Sequence, residues 1–245
     1  PPARAADPIT AADQSYFAYY HLDQARAKGY TGKGVTIAML DGEVDTGAAE
    51  LSGASISDKP QCTVTSSPHS KGHGTSVASV LVSSAYGIAP EATLLTYRTA
   101  STEDGDQAAS DCQAGSQLDK HKYAWLLNAA MNDGAQIINL SASSHSHSDE
   151  LKWTIARSMS QGVIITAAAG NEAQDDNDAV LSKWSGVVGV AAIGVDSARQ
   201  DYSSWGQGVT VAAIGGPLSV HDYGTGRVTQ VSGTSVSAPV VAGVL

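Results

Sequence analysis

Residues 35–47 read "VTIAMLDGEVDTG". The first six, "VTIAML" (35–40), form a short, continuous, mainly apolar run, the pattern of a strand buried on both faces. The run passes without a gap into three carboxylates, Asp41, Glu43 and Asp45. A carboxylate directly after such a strand lies at its carboxyl edge, where open α/β sheets bind their ligands. Strand alternation puts Asp41 on the same face as Val35, Ile37 and Met39. Which of the three carboxylates carries chemistry depends on what else reaches that edge.

Four more runs repeat the pattern: "ATLLTY" (92–97), "AQIINLS" (135–141), "GVIITAAA" (162–169) and "VVGVAAI" (187–193). Between them lie helix-like stretches at 73–85, 118–133 and 149–161. Gly134 and Gly162 follow two of these, where a helix end favours a left-handed residue. Alternating strands and helices predict a three-layer, doubly wound, mostly parallel α/β sheet with helices on both faces. There is no repeat and no low-complexity linker, so residues 1–245 are expected to form a single domain.

Composition narrows the function. The chain has 245 residues, enough for a substantial core. Its 14 basic and 24 acidic residues give a net charge of -10, which disfavours nucleic acid and anionic membranes as partners. No uncharged apolar run approaches the roughly 18 residues of a spanning helix. The first ten residues, "PPARAADPIT", lack the charged-then-apolar pattern of a signal peptide. That fits a processed secreted protein or a cytoplasmic one. Cys62 and Cys112 are the only cysteines. They read either as free thiols in a reducing compartment or, the favoured reading, as one disulfide in a secreted protein. Such a bridge would contribute on the order of 4 kcal/mol in the chain-entropy model. Two widely spaced cysteines do not make a zinc site.

Four residues at strand ends or helix starts could work together. Asp41 ends the first run, His73 lies in "KGHGTSVAS", Asn171 in "AAAGNE" and Ser235 in "VSGTSVSAPVVAGV". Singly, each has an ordinary structural explanation: an aspartate after a strand is a common turn former, and a serine at a helix start is a common cap. In the order Asp, His, Asn, Ser, these motifs resemble those of the subtilisin-like serine proteases, the subtilase family. The resemblance runs from "GKGVTIAMLD" to the last residue, and "SGTSVSAPVVAG" is its most specific motif.

The resemblance implies a serine endopeptidase that forms an acyl-enzyme on a peptide or protein substrate. Ser235 would be the nucleophile and His73 its base, with Asp41 fixing the histidine tautomer. Asn171 and the Ser235 backbone N–H would hold the oxyanion. Ser141, Ala142, Ser143, Ala169 and Gly170 would line the substrate strand and pocket. No cofactor or metal is required by this chemistry. Calcium is conceivable at "EAQDDND" (172–178), but a solvated loop is the better reading because EF-hand spacing is lacking.

Other motif matches fail. Asp45-Thr46-Gly47 spells the D-T-G of an aspartic protease, yet the second copy that such an enzyme needs is missing. "TGKGV" (31–35) lacks the Ser or Thr of a phosphate loop and precedes its strand. The sequon at Asn139 falls inside a buried strand. His145 and His147 read as a solvated loop, and His21, His69, His121 and His221 lie in no comparable motif. Glu43 reads as a solvated turn residue and Asp45 as local loop structure.

Several departures from the family pattern matter. Gly42 follows the aspartate, where relatives usually have Ser or Thr. Val240 replaces a common histidine outside the triad. The helix after His73 runs into "YGIAP" without the insertion that supplies a tight calcium site in many relatives. The D-G-x-V-D form, with Cys62 upstream of His73 and "CQAGSQLD" after it, is similar to the branch of cyanobactin-type maturation proteases. Peptide maturation or transpeptidation is therefore the alternative function, and an inactive peptide-binding scaffold a more distant one. The chain stops within the predicted Ser235 helix, so the expectation is a domain truncated at its C-terminal end. A propeptide or C-terminal remainder would lie outside it.

Overall fold

The computed structural model describes residues 8–59, 66–99, 118–141, 148–175, 181–222 and 225–245. Two short helices, α1 (Ser15–Tyr19) and α2 (Leu22–Ala27), precede the first strand, β1 (Thr36–Asp41). Then come β2 (Ser55–Asp58), α3 (Pro68–Val82), β3 (Thr93–Arg98), α4 (Leu118–Asn132), β4 (Ile137–Leu140), α5 (Asp149–Gln161), β5 (Ile164–Ala168) and β6 (Val187–Ile193). The chain closes with β7 (Val211–Ile214), the hairpin β8 (Leu218–His221) and β9 (Val228–Val231), and helix α6 (Thr234–Val244). Strands β1 to β7 form one sheet, all parallel, in the order β2-β3-β1-β4-β5-β6-β7.

The five predicted runs are the central strands, because each is apolar on both sides. Alternate residues of β1 feed two cores. Ala38 and Leu40 pack with Leu126 and Leu127 of α4 and with Leu151 and Ile155 of α5. Ile37 and Met39 pack with Val77, Ala78 and Leu81 of α3. Helices therefore cover both faces, the predicted three layers. Asp41 continues the parity of Ile37 and Met39, which is the α3 face.

The strand order also locates the ligand edge. From β1 the chain builds β2 and β3 on one side, then crosses to build β4 to β7 on the other. The reversal lies between β1 and β4, and crevices of such sheets form at the carboxyl ends of strands at that point. Asp41 ends β1 there.

Some elements were not predicted. Strand β2 is a four-residue edge strand of mixed polarity (Ser-Ile-Ser-Asp), too short to show a period. The hairpin β8–β9 is held by antiparallel pairing of Leu218 with Val231 and His221 with Val228. Helix α3 begins five residues before His73, so His73 lies in the second turn and not at the helix mouth. Ser67 caps it by accepting from the Ser70 N–H at 3.1 Å, and Pro68, which has no N–H to lose, takes the first position. Helix α5 ends as expected, with Gly162 in the left-handed region (φ 71°). None of the described helices is long and apolar enough to cross a membrane.

Candidate active site

Asp41 is buried (2% exposed) at the end of β1. Its Oδ1 accepts from the Gly42 N–H at 2.6 Å and meets His73 Nδ1 at 2.8 Å. The second oxygen, Oδ2, is buried without a partner among the described residues. Gly42 has a steric reason to be glycine. A Cβ there would sit 2.2 Å from the Ser70 carbonyl oxygen and 2.6 Å from its hydroxyl. Gly74 is similarly tight: its Cβ would lie 2.6 Å from the carbonyl oxygens of both Gly42 and Glu43. Two glycines thus let the first turns of α3 close onto the loop after β1, which brings His73 to Asp41.

Glu43 corrects the sequence expectation of a solvated turn residue. Its carboxylate pairs with Lys71 at 3.3 Å and with Arg98 at 3.4 Å, and Arg98 also reaches Asp58 at 2.8 Å. The partners come from α3, β3 and β2, so no local pattern could reveal them. Asp45 does organise its own loop, accepting from the Gly47 N–H at 3.1 Å.

On the other side of the edge, β5 ends and Ala169-Gly170-Asn171 follow. Gly170 has φ 108°, a conformation that disfavours any side chain, and its N–H donates to the Thr234 hydroxyl at 3.1 Å. The Asn171 side-chain oxygen accepts from the Thr234 N–H at 2.8 Å and from its hydroxyl at 3.0 Å. Thr234 is the first residue of α6, with Gly233 as N-cap, so Ser235 takes the second position. Its N–H is one of the helix-start donors that have no intrahelical acceptor. A Cβ built on Gly233 would lie 3.0 Å from Ser235 Oγ and 3.3 Å from Asn171 Nδ2. The hydroxyl and the amide nitrogen therefore flank one small space, kept open by glycine.

Helix α6 lies on the same face as α3, packed against it and across β4 to β7. Ser237 pins it to β7 by donating to the Ala213 carbonyl at 3.0 Å. Asp41 with His73, and Asn171 with Ser235, thus arrive from opposite halves of the sheet. Thr234, which ties Gly170 and Asn171 to the helix carrying Ser235, was missed as a site residue. Its signal was adjacency to Ser235.

Of the expected substrate-side residues, Ser141 is buried, and its hydroxyl accepts from Asn139 Nδ2 at 2.9 Å. Asn139, the formal sequon, is fully buried and also accepts from Thr166 at 3.0 Å. Ala169 is buried and donates its N–H to the Val190 carbonyl. Ala142, Ser143, His145, His147, Cys62 and Cys112 lie outside the described residues. Among the described residues no group of three His, Cys, Asp or Glu could hold a metal.

Comparison with known proteins identifies the family. Residues 32–245 match the family model described as "Subtilase family". A thermostable alkaline protease of Halalkalibacterium halodurans is 30% identical over 239 residues, covering 92% of this chain and 60% of that protein. Subtilisin E of Bacillus subtilis is 26% identical, covering 91% and 59%. The chain therefore spans about three fifths of these relatives. Among solved structures, the prenylagaramide maturation protease PagA is 25% identical with a TM-score of 0.73, covering 91% of this chain and 77% of that one. The patellamide maturation protease PatA is 25% identical with a TM-score of 0.69, covering 87% and 77%. The chain belongs to the subtilase family.

Proposed function

We propose that the chain is a serine endopeptidase in which Asp41, His73 and Ser235 form the triad and Asn171 the oxyanion donor. The observation that carries this reading is the 2.8 Å bond from the half-exposed His73 to the buried Asp41, on the face shared by the helices bearing His73 and Ser235. A serine hydroxyl is a weak nucleophile and needs a base. His73 takes the Ser235 proton on Nε2 as Oγ attacks the peptide carbonyl, and Asp41 stabilises the resulting imidazolium through Nδ1. The oxyanion is met by Asn171 Nδ2 and the Ser235 N–H, at the positive end of α6. His73 then protonates the leaving amine, and water resolves the acyl-enzyme by the reverse sequence.

Neither metal nor cofactor enters these steps, so activity is expected to survive chelation. The substrate would be an extended peptide running past Ser141, Ala142, Ser143, Ala169 and Gly170. We place the enzyme outside the cell, with Cys62 and Cys112 joined. Thiol titration of the unreduced protein tests the bridge, and two free thiols would refute it.

The direct test of the enzyme is a fluorophosphonate probe. Labelling of the intact protein, and none after Ser235→Ala, is expected; an unlabelled intact protein would end the enzyme reading. The similarity to PagA and PatA, together with the D-G-x-V-D motif, favours a second reading, peptide maturation or transpeptidation. In transpeptidation an amine, not water, resolves the acyl-enzyme. Mass spectrometry of products from a linear peptide separates the two outcomes.

A further inference from the structure

The carboxylate of Asp41 has few holds of its own. Among the described residues it meets His73 and the N–H of its neighbour Gly42, and Oδ2 has no partner. Its position therefore follows the backbone of residues 41–43. Whatever anchors that backbone also sets the distance from Asp41 to His73.

Glu43 is held from several sides. Its N–H donates to the Ser66 hydroxyl at 3.2 Å, and its carbonyl oxygen presses against Gly74, where a Cβ would come within 2.6 Å. Its carboxylate reaches Lys71 of α3 at 3.3 Å and Arg98 of β3 at 3.4 Å. Arg98 is the register partner of Asp41, and the Thr99 N–H after it donates to the Asp41 carbonyl at 2.7 Å. Asp58 fixes Arg98 in turn at 2.8 Å, and its other oxygen accepts from the Thr96 hydroxyl at 2.9 Å. The row Lys71, Glu43, Arg98, Asp58 thus runs from α3, through the loop after Asp41, to β3 and the edge strand β2. Its two cations and two anions balance, so it ties these elements together without adding net charge beside the site.

Stability is a weak account of this row. Its side chains are 22–33% exposed, and ion pairs open to water contribute little to folding. Placement is a better account, because a misplacement of about 1 Å in an active site can cost on the order of 10² in rate. We propose that Glu43, clamped between Lys71 and Arg98, is a positioning residue that holds Asp41 against His73. This rests on the protease reading of Ser235. The test follows Glu43→Gln, Lys71→Met and Lys71→Arg in the whole chain. The readouts are fluorophosphonate labelling, hydrolysis of one peptidyl p-nitroanilide, and the proton NMR resonance of His73 Nδ1–H. Glu43→Gln keeps the side-chain shape and removes the charge that both cations share. It should lower kcat and the limiting labelling rate by about 10- to 100-fold, with a change in KM of less than about threefold. Lys71→Met should lose less, because Arg98 still holds the loop, and Lys71→Arg should keep the parent rate. The variant combining Glu43→Gln with Lys71→Met should be no slower than Glu43→Gln alone. The Nδ1 proton, shifted downfield by its bond to the Asp41 carboxylate, should move upfield or broaden in Glu43→Gln.

A parent rate and an unmoved proton resonance in Glu43→Gln would overturn the proposal. So would a lowered melting temperature with kcat unchanged, the mark of a row that serves folding alone. If Glu43→Gln fails to fold, the Lys71 variants decide, since that side chain is 32% exposed. An undiminished rate in Lys71→Met then overturns the clamp, and a loss restored in Lys71→Arg upholds it. Labelling of the intact protein keeps the two readings apart. A labelled parent with variants at the same rate sinks the clamp alone; an unlabelled parent sinks the protease reading and the clamp with it.

Discussion

The side-chain oxygen of Asn171 accepts from the Thr234 backbone N–H at 2.8 Å. A backbone N–H can only donate, so the oxygen must face Thr234 and the amide nitrogen must face away, towards the space beside Gly233. Asn171→Ala should therefore lower kcat by about 10² to 10³ with a much smaller change in KM, as loss of one oxyanion donor does. Thr234→Val keeps the backbone donor but loses the hydroxyl that bonds both Gly170 and Asn171, so a smaller loss is expected. Thr234→Ser should restore most of it. Steady-state kinetics of the three variants checks the order.

Asp41 and Asp45 differ sharply in environment, and their variants should differ accordingly. Asp41→Asn replaces a carboxylate that only accepts with an amide that can donate to His73 Nδ1, and should cost roughly 10⁴ in kcat through the wrong tautomer. Asp45→Asn disturbs only a local turn to Gly47 and should cost far less. A reversed ranking would remove Asp41 from the triad.

Gly233 is needed for room and not for backbone freedom, since its φ of 166° is extended. Gly233→Ala would place a methyl group 3.0 Å from Ser235 Oγ and 3.3 Å from Asn171 Nδ2. The expected result is a large loss of kcat and of fluorophosphonate labelling, with thermal stability close to the parent. A stable variant with full activity would contradict the placement of the oxyanion space.

Gly42 and Gly74 should behave in the opposite way, because a methyl group at either position strikes backbone carbonyls. Gly42→Ala and Gly74→Ala are each expected to lose about 1–3 kcal/mol of stability, the usual cost of overpacking. Activity should fall with it, since the same contact sets the Asp41–His73 distance. Urea denaturation with parallel kinetics measures both.

Five tyrosines link the fold to alkaline pH. Burial raises the phenol pKa of Tyr16, Tyr20, Tyr86 and Tyr202. At Tyr97 burial is joined by the Asp133 carboxylate, to which the phenol donates at 2.7 Å. The folded values lie above the unfolded value of about 10, so the neutral phenols stabilise the fold fully below that pH. The contribution is lost as pH rises towards the folded values. Absorbance at 295 nm should show these tyrosines ionising late and together with unfolding. Full ionisation near pH 10 with an intact fold would refute this.

Much of the candidate site was legible because its signals are local. Asp41 directly follows a run that is apolar on both faces, and its parity with Ile37 and Met39 already fixed the face on which α3 packs. Gly162 announced the end of α5 by the same kind of short-range rule. The start of α3 was misjudged because Ser67 and Pro68 are an ordinary cap pair with no apolar period behind them. The hairpin β8–β9 was missed for want of a strong two-residue period, although it carries the chain into Ser235.

By itself, the sequence determined the parallel α/β sheet, the Asp, His, Asn, Ser order and the subtilase resemblance, since each is read from short local motifs and from their order along the chain. Tertiary structure alone decided which side chains meet. Glu43 finds Lys71 and Arg98, Asn171 finds Thr234 63 positions away, and Glu50 finds His221 across 171 positions. Pairing over such separations depends on how the sheet orders its strands, and that order is set by the packing of the two cores, which no single stretch of sequence contains.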